Sequence, residues 1–198
     1  MRVISGRFKG VALTTPKPGT RPTTDRTKEA IFSHLDSWGV LDDARVLDLF
    51  AGTGALGIEA LSRGARELVA VESSAPAAAL IAQTLTALKH NRSWEHGMSA
   101  RVVKARAEKY AASAVEPFDM VFIDPPYAFE TNDCNQLLAD LASRELTSSN
   151  TVIMLERSTR SEAPTAPANW EITDRRDYGE TAVYYIEPSE PISDNGQQ

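Results

Sequence analysis

The chain has 198 residues, 42% of them hydrophobic and 24% charged, with a formal net charge of −6, the make-up of one ordinary domain with enough chain to bury a core. Its longest unbroken apolar run, Ala77 to Ala82, is six residues against the roughly 20 that span a bilayer, and no apolar segment follows the first basic residue as a secretion signal requires, so a soluble, cytoplasmic protein with no membrane partner is expected. A single cysteine, Cys134, excludes an internal disulfide and a multi-cysteine zinc site, and His34, His90 and His96 share no ligand spacing, so no metal is expected.

Charge is unevenly spread. Residues 1–28 hold Arg2, Arg7, Lys9, Lys17, Arg21, Arg26 and Lys28 against Asp25 alone, a local +6, which leaves −12 for the remainder. Affinity for a polyanion follows local cations rather than the total. A basic arm on an acidic body therefore fits a nucleic-acid partner, although a solvated segment would look the same. Met1 to Gly6 and Gly10 to Thr14 read as two short strands, an N-terminal β-hairpin with Arg7, Phe8 and Lys9 at its tip. Pro16, Pro18, Gly19 and Pro22 then break the chain. A helix is expected from about Thr23 or Thr24, whose hydroxyls can cap its first N–H groups, with Ile31, Leu35 and Trp38 as its buried stripe.

Next comes Val46-Leu47-Asp48-Leu49-Phe50-Ala51-Gly52-Thr53-Gly54-Ala55-Leu56-Gly57-Ile58-Glu59-Ala60. An apolar run breaks into glycines at 52, 54 and 57 and resumes with helical apolar spacing, the pattern of a strand, a tight turn and a helix. Glycine reaches positive φ cheaply and lets backbone N–H groups come close to a ligand. A dinucleotide and S-adenosylmethionine both suit such a turn.

Further strands are expected at about 45–49, 67–72, 101–104, 118–123, 150–156, 170–175 and 181–187, with helices at about 55–63, 75–90, 107–114 and 132–144. This alternation implies an α/β fold, a parallel sheet covered on both faces with its ligands at the carboxyl ends of the strands. The last two strands have only a short connection between them and can pair as a hairpin, which makes the seven-stranded sheet mostly parallel with an antiparallel last strand. The expected division is a basic hairpin extension at 1–22, a catalytic domain at 23–187 and a disordered acidic tail at 188–198.

Each strand end supplies a chemical group. Asp48 either braces the glycine turn or receives a ligand ammonium. Glu72 ends its strand twenty residues beyond Gly52, where a carboxylate can take both hydroxyls of an adenosine ribose. The run Phe118-Asp119-Met120-Val121-Phe122-Ile123 ends in Asp124-Pro125-Pro126-Tyr127: an acid leaving an apolar strand, two prolines without N–H donors, then an aromatic. That set suits a flat, polar base.

These four residues resemble the (Asp/Asn)-Pro-Pro-(Tyr/Phe) motif of the amino-methyltransferases, and the strand pattern resembles the Rossmann-like class I methyltransferase fold. The opening Met1-Arg2-Val3-Ile4-Ser5-Gly6, the stretch Arg21-Pro22-Thr23-Thr24-Asp25-Arg26, the block from Leu49 to Gly64 and Asp124-Pro-Pro-Tyr127 together resemble the RsmD-type bacterial methyltransferases, from residue 1 to about 187. The resemblance implies S-adenosylmethionine as cofactor, held by Asp48, Phe50, Gly52, Gly54 and Glu72 and by backbone near Arg106 and Ala107, where many relatives of this fold carry Asp or Asn instead. It implies the N2 amine of a guanine in 16S ribosomal RNA as acceptor, within an assembling small ribosomal subunit, and a monomeric enzyme.

Asp124 and the Pro125 carbonyl would accept the two amine hydrogens while Tyr127 stacks on the base, which must be unpaired or flipped out. Arg7, Lys9, Arg21, Thr23 and Arg26 would meet RNA. A DNA adenine-N6 methyltransferase would use the same motif, but usually needs a target-recognition region that 198 residues leave no room for. A dehydrogenase would leave the motif idle, and a non-catalytic RNA-binding assembly factor would bind no cofactor.

Overall fold

The structure, a computed structural model, describes residues 1–14, 24–113, 116–143 and 146–190. Its strands β1 (Arg45–Asp48), β2 (Glu67–Glu72), β3 (Ser99–Lys104), β4 (Met120–Ile123), β5 (Val152–Ser158), β6 (Trp170–Tyr178) and β7 (Thr181–Pro188) form one sheet in the order β3-β2-β1-β4-β5-β7-β6. Pairing is parallel from β3 across to β5, and β7 runs antiparallel to both β5 and β6. The reversal follows from chain length: only Gly179 and Glu180 separate β6 from β7, too few for a crossover, and Gly179 supplies the positive φ of the hairpin.

Alternate strand residues divide the core into two. Val46, Leu68, Met120, Phe122, Met154 and Tyr185 join α1 (Asp25–Trp38), α2 (Ala55–Ser62) and α3 (Ala75–Lys89) in one cluster. Leu47, Val69, Val121, Ile153 and Tyr184 join α4 (Ala107–Ser113) and α5 (Thr131–Ser143) in the other. Because both faces are covered, the central strands are apolar throughout and not alternating. Among the described residues no helix is long and apolar enough to cross a membrane.

Helix α1 begins after Thr24, whose hydroxyl accepts the Thr27 N–H at 3.2 Å. Ile31 and Leu35 are buried as expected, but Trp38 is 37% exposed and the stripe is completed by Phe32 and Lys28, both fully buried. As the last helical residue, Trp38 keeps part of its ring open to solvent while it meets His34 at 4.2 Å and Tyr185 edge-on at 5.1 Å. Pro188, assigned to the tail, instead closes β7 opposite Trp170, and the Ser189 N–H donates to the Asn169 carbonyl. The remainder of that expected tail, 191–198, lies outside the described residues.

The N-terminal hairpin closes through one antiparallel bridge, Arg2 with Ala12, rather than through two strands. It is part of the body: Val3, Phe8 and Leu13 are buried in the first cluster. The Ile4 and Ser5 N–H groups donate to the Glu59 carboxylate of α2 at 2.9 and 3.1 Å.

Candidate functional site

Parallel pairing sets Asp48 level with Ala70 on one side and Phe122 on the other, so Glu72 and Asp124 each follow two residues beyond that level on the flanking strands. Asp48, Glu72 and Asp124 therefore gather at one rim. The turn between β1 and α2 is tied into the neighbouring strands by the Leu49 N–H to the Phe122 carbonyl and the Ala51 N–H to the Val71 carbonyl, both 3.0 Å. Gly52 and Gly54 hold φ of +58° and +80°, which an L side chain adopts only under strain. Gly57 serves differently. A Cβ there would stand 2.4 Å from a Leu68 methyl, so its absence lets α2 lie close to β2.

Glu72 braces this turn: one oxygen accepts the Gly52 N–H at 2.7 Å and the other the Ser74 N–H at 2.8 Å. Each oxygen keeps a lone pair for another donor. Asp48 is fully buried, with one oxygen accepting the Gly57 N–H at 3.1 Å. Its other oxygen, Oδ1, has no hydrogen-bond partner among the described residues. Burial, and after it the charges of Asp124 and Glu72, push the Asp48 carboxyl up to about 7. Burial likewise raises the half-buried Asp124 to about 7.

Beyond Asp124 the chain makes a tight turn in which the Phe129 N–H donates to the Pro126 carbonyl at 2.9 Å. Tyr127 stands at its tip, 78% exposed. The Phe129 ring meets the Phe50 ring edge to face, with centroids 5.1 Å apart, so the glycine turn and the Asp-Pro-Pro-Tyr turn touch directly. Ala107 is buried at the start of α4, whereas the Arg106 side chain points outward to Glu108 at 3.4 Å. Among the described residues no group of His, Cys, Asp or Glu is placed to hold a metal ion.

The basic residues fall into two places. The Arg7 N–H donates to the carbonyl of Ser62, the last residue of α2, and Phe8 stacks on Trp94 in the loop leading into β3, centroids 6.1 Å apart. Arg7 and Lys9 thus sit at the end of the sheet opposite the glycine turn. Arg7 is mostly covered and pairs with Glu95 at 3.2 Å, and its guanidinium also donates to the Met98 sulfur. The connection from α1 into β1 is short, so α1 ends at that same far edge and its first turn, with exposed Arg26, points toward the rim. Arg21 and Thr23 lie outside the described residues.

Lys28, counted above with the basic arm, is buried with its Nζ 2.9 Å from the Arg2 carbonyl and 3.4 Å from Glu59. Arg63 approaches the same carboxylate at 2.9 Å. Position 28 falls on the helical stripe with 31, 32 and 35, so periodicity could have marked it. Nothing in the sequence marks the brace that Arg157 of β5 gives to the Phe129 carbonyl at 2.8 Å.

A sheet of this order, with its next-to-last strand in space reversed, a glycine turn after the first strand and a strand-ending acid beside it, is the Rossmann-like fold of the class I methyltransferases. The chain belongs to the family described as Conserved hypothetical protein 95, whose model matches residues 1–187. It is 34% identical over 183 residues, 92% of this chain and 87% of the relative, to "Ribosomal RNA small subunit methyltransferase D" of Escherichia coli strain K12. Among solved structures, that of yhhF from Escherichia coli matches 96% of this chain and 98% of its own at 31% identity, TM-score 0.82. A magnesium protoporphyrin IX methyltransferase from Synechocystis with bound SAM shares the fold, TM-score 0.62, at 15% identity over 86% of this chain and 87% of its own.

Proposed function

We propose that this protein transfers a methyl group from S-adenosylmethionine to the exocyclic N2 amine of a guanine in 16S ribosomal RNA, within an assembling small ribosomal subunit. The observation that carries the reading is the meeting of Asp48, Glu72 and Asp124 at one rim, the first two around the glycine turn and the third leading into an exposed tyrosine. Similarity to a curated ribosomal RNA methyltransferase over 92% of the chain supports the substrate class.

The residues fit the cofactor. Asp48 Oδ1 is a buried acceptor without a protein partner, suited to the methionine ammonium. Glu72 keeps acceptor capacity for ribose hydroxyls, and Phe50 and the backbone of Arg106 and Ala107 border the same rim. The charges of Asp124 and Glu72 add to burial in raising the Asp48 carboxyl, and a ligand with cationic groups relieves that. When bound, S-adenosylmethionine supplies an electrophilic methyl group on a positively charged sulfur.

The chain's own contribution at the acceptor is orientation. An exocyclic amine is a weak nucleophile because its lone pair is delocalised into the ring. Ionised Asp124 and the Pro125 carbonyl accept its two N–H groups and favour a pyramidal nitrogen whose lone pair faces the donor site. Tyr127 offers a stacking surface for a base extruded from its helix. The proton shed by the methylated amine leaves to water.

The RNA contacts follow from the two placements of basic residues. Arg26, with Arg21 and Thr23, serves RNA near the reacting base, and Lys9, with the partly covered Arg7, serves phosphates further along the particle. The deciding experiment incubates the protein with labelled S-adenosylmethionine and with small subunits or RNA from a strain lacking the enzyme, followed by nucleoside analysis. Label in N2-methylguanosine is expected. Label in N6-methyladenosine would overturn the acceptor, and absence of calorimetrically detected cofactor binding would overturn the enzyme.

A further inference from the structure

The turn carrying Tyr127 has little backbone bonding of its own. Pro125 and Pro126 lack N–H donors, and the hydrogen bond from Phe129 to the Pro126 carbonyl is the one that closes the turn among the described residues. Such a turn takes its position from what grips it. In the register of β4 with β5, Ile123 is level with Leu155, and Arg157 follows two residues further along β5, the strand next to the turn. Its Nη1 donates to the Phe129 carbonyl at 2.8 Å.

Burial raises the Cys134 thiol of α5, and the positive charge of Arg157 acts against that rise. Its Nε is buried without a partner among the described residues. The side chain is half-buried, and the bond to the Phe129 carbonyl is the hydrogen bond its guanidinium makes among the described residues. On its other side Phe129 presses on Phe50 at 5.1 Å. Arg157, Phe129 and Phe50 thus form a continuous chain of contacts from β5, through the acceptor turn, to the glycine turn.

We infer that Arg157 is a positioning residue for methyl transfer, fixing the separation between the Asp-Pro-Pro-Tyr turn and the glycine turn through the Phe129 carbonyl. It does not touch the reacting groups. The inference rests on the methyl-transfer reading above and adds to it the element that sets the reaction distance. A displacement of about 1 Å between reacting groups lowers a rate by about a hundredfold. Loss of the brace should therefore lower kcat by about ten- to a hundredfold while leaving the cofactor dissociation constant within about twofold.

The test compares Arg157→Met and Arg157→Lys with the unaltered protein, all as full chains. Arg157→Met keeps the apolar stem without a donor, whereas Arg157→Lys keeps a donor able to reach the Phe129 carbonyl. Expected are a kcat loss in Arg157→Met, recovery of most of it in Arg157→Lys, equal calorimetric affinities for S-adenosylmethionine, and the kcat loss persisting well below either variant's melting temperature. A residue that only stabilised the fold would give normal kcat under those conditions. Arg157→Met with kcat within twofold of the unaltered protein would overturn the inference, as would equal losses in both variants. Failure of the unaltered protein to transfer any methyl group would instead defeat the underlying reading.

Discussion

Asp48 and Glu59 are both carboxylates sealed from solvent, yet the structure treats them in opposite ways. Glu59 is saturated: two cationic side chains, Lys28 and Arg63, and two N–H groups from the N-terminal segment converge on it. Asp48 has one N–H donor, an unpartnered oxygen and two further acids for neighbours. A buried charge that is fully paired holds segments together, whereas one left short of donors keeps a store of electrostatic attraction for a cationic ligand. The same contrast separates the two ends of the sheet. At the starting edge Arg45 pairs with Glu67 at 2.7 Å and holds its carboxyl below the ordinary range, while at the rim burial drives Asp48 and Asp124 upward.

The largest effect is expected at the acceptor. Asp124→Ala should lower methyl transfer by about a hundred- to a thousandfold, comparable to removing an aligned electrostatic group from an active site, while calorimetry finds cofactor affinity nearly intact. Simultaneous loss of cofactor binding would erase the division between donor and acceptor acids.

Glu59→Gln should come next, lowering stability by about 3–5 kcal/mol, because Lys28 would remain buried without its counter-charge. Denaturant unfolding measures this. Asp48→Asn should do the reverse for the protein without cofactor. A carboxyl raised to about 7 in the folded chain, against about 4 unfolded, contributes stability present below pH 4 and lost as pH climbs through 7. The variant should therefore escape part of that loss and unfold no more easily than the parent at pH 8, while binding the cofactor poorly. An Asp48→Asn protein as weakened as Glu59→Gln would dissolve the contrast between the two acids.

A smaller effect concerns pH. Cationic groups on the cofactor favour ionised Asp48, so affinity should be full above about pH 7 and fall as this carboxyl protonates, about tenfold between pH 8 and pH 6. Affinity that is flat over that interval would mean that Asp48 does not face the cationic groups. Smallest is the response of RNA binding. Removing Arg26 and Lys9 should each reduce the slope of log affinity against log salt by about 0.7 to 0.9. The Arg26 change alone should also raise KM for methyl transfer, since it lies on the rim side, and equal KM effects would contradict the separation of the two basic regions.

Much of this molecule was readable before folding was considered, because the informative residues are close in sequence. Glycines 52, 54 and 57 mark a strand, turn and helix whatever surrounds them, since positive φ and close packing demand them locally. Asp124-Pro-Pro-Tyr127 carries its chemistry within four residues, and the alternation of strand and helix led to a mostly parallel sheet with a reversed last strand. Long-range pairing was not readable. Lys28 counted as a cation of a basic arm, but burial against Glu59 turned it into an internal partner, and Arg7 is partly covered beside an exposed Glu95. Trp38 obeyed helical spacing yet stayed part exposed, since spacing gives direction and not the depth of what lies opposite.

The sequence alone determined the order of chemical groups along the chain, the glycine turn and the Asp-Pro-Pro-Tyr motif, each being a property of a short segment. Only the tertiary structure decided that Glu72 braces the turn from the next strand, that Arg157 grips the loop after Asp124, and that Arg7 and Arg26 stand at opposite ends. Those outcomes depend on which segments, distant along the chain, are brought within hydrogen-bonding reach, and that is set by sheet register and helix packing rather than by any local pattern.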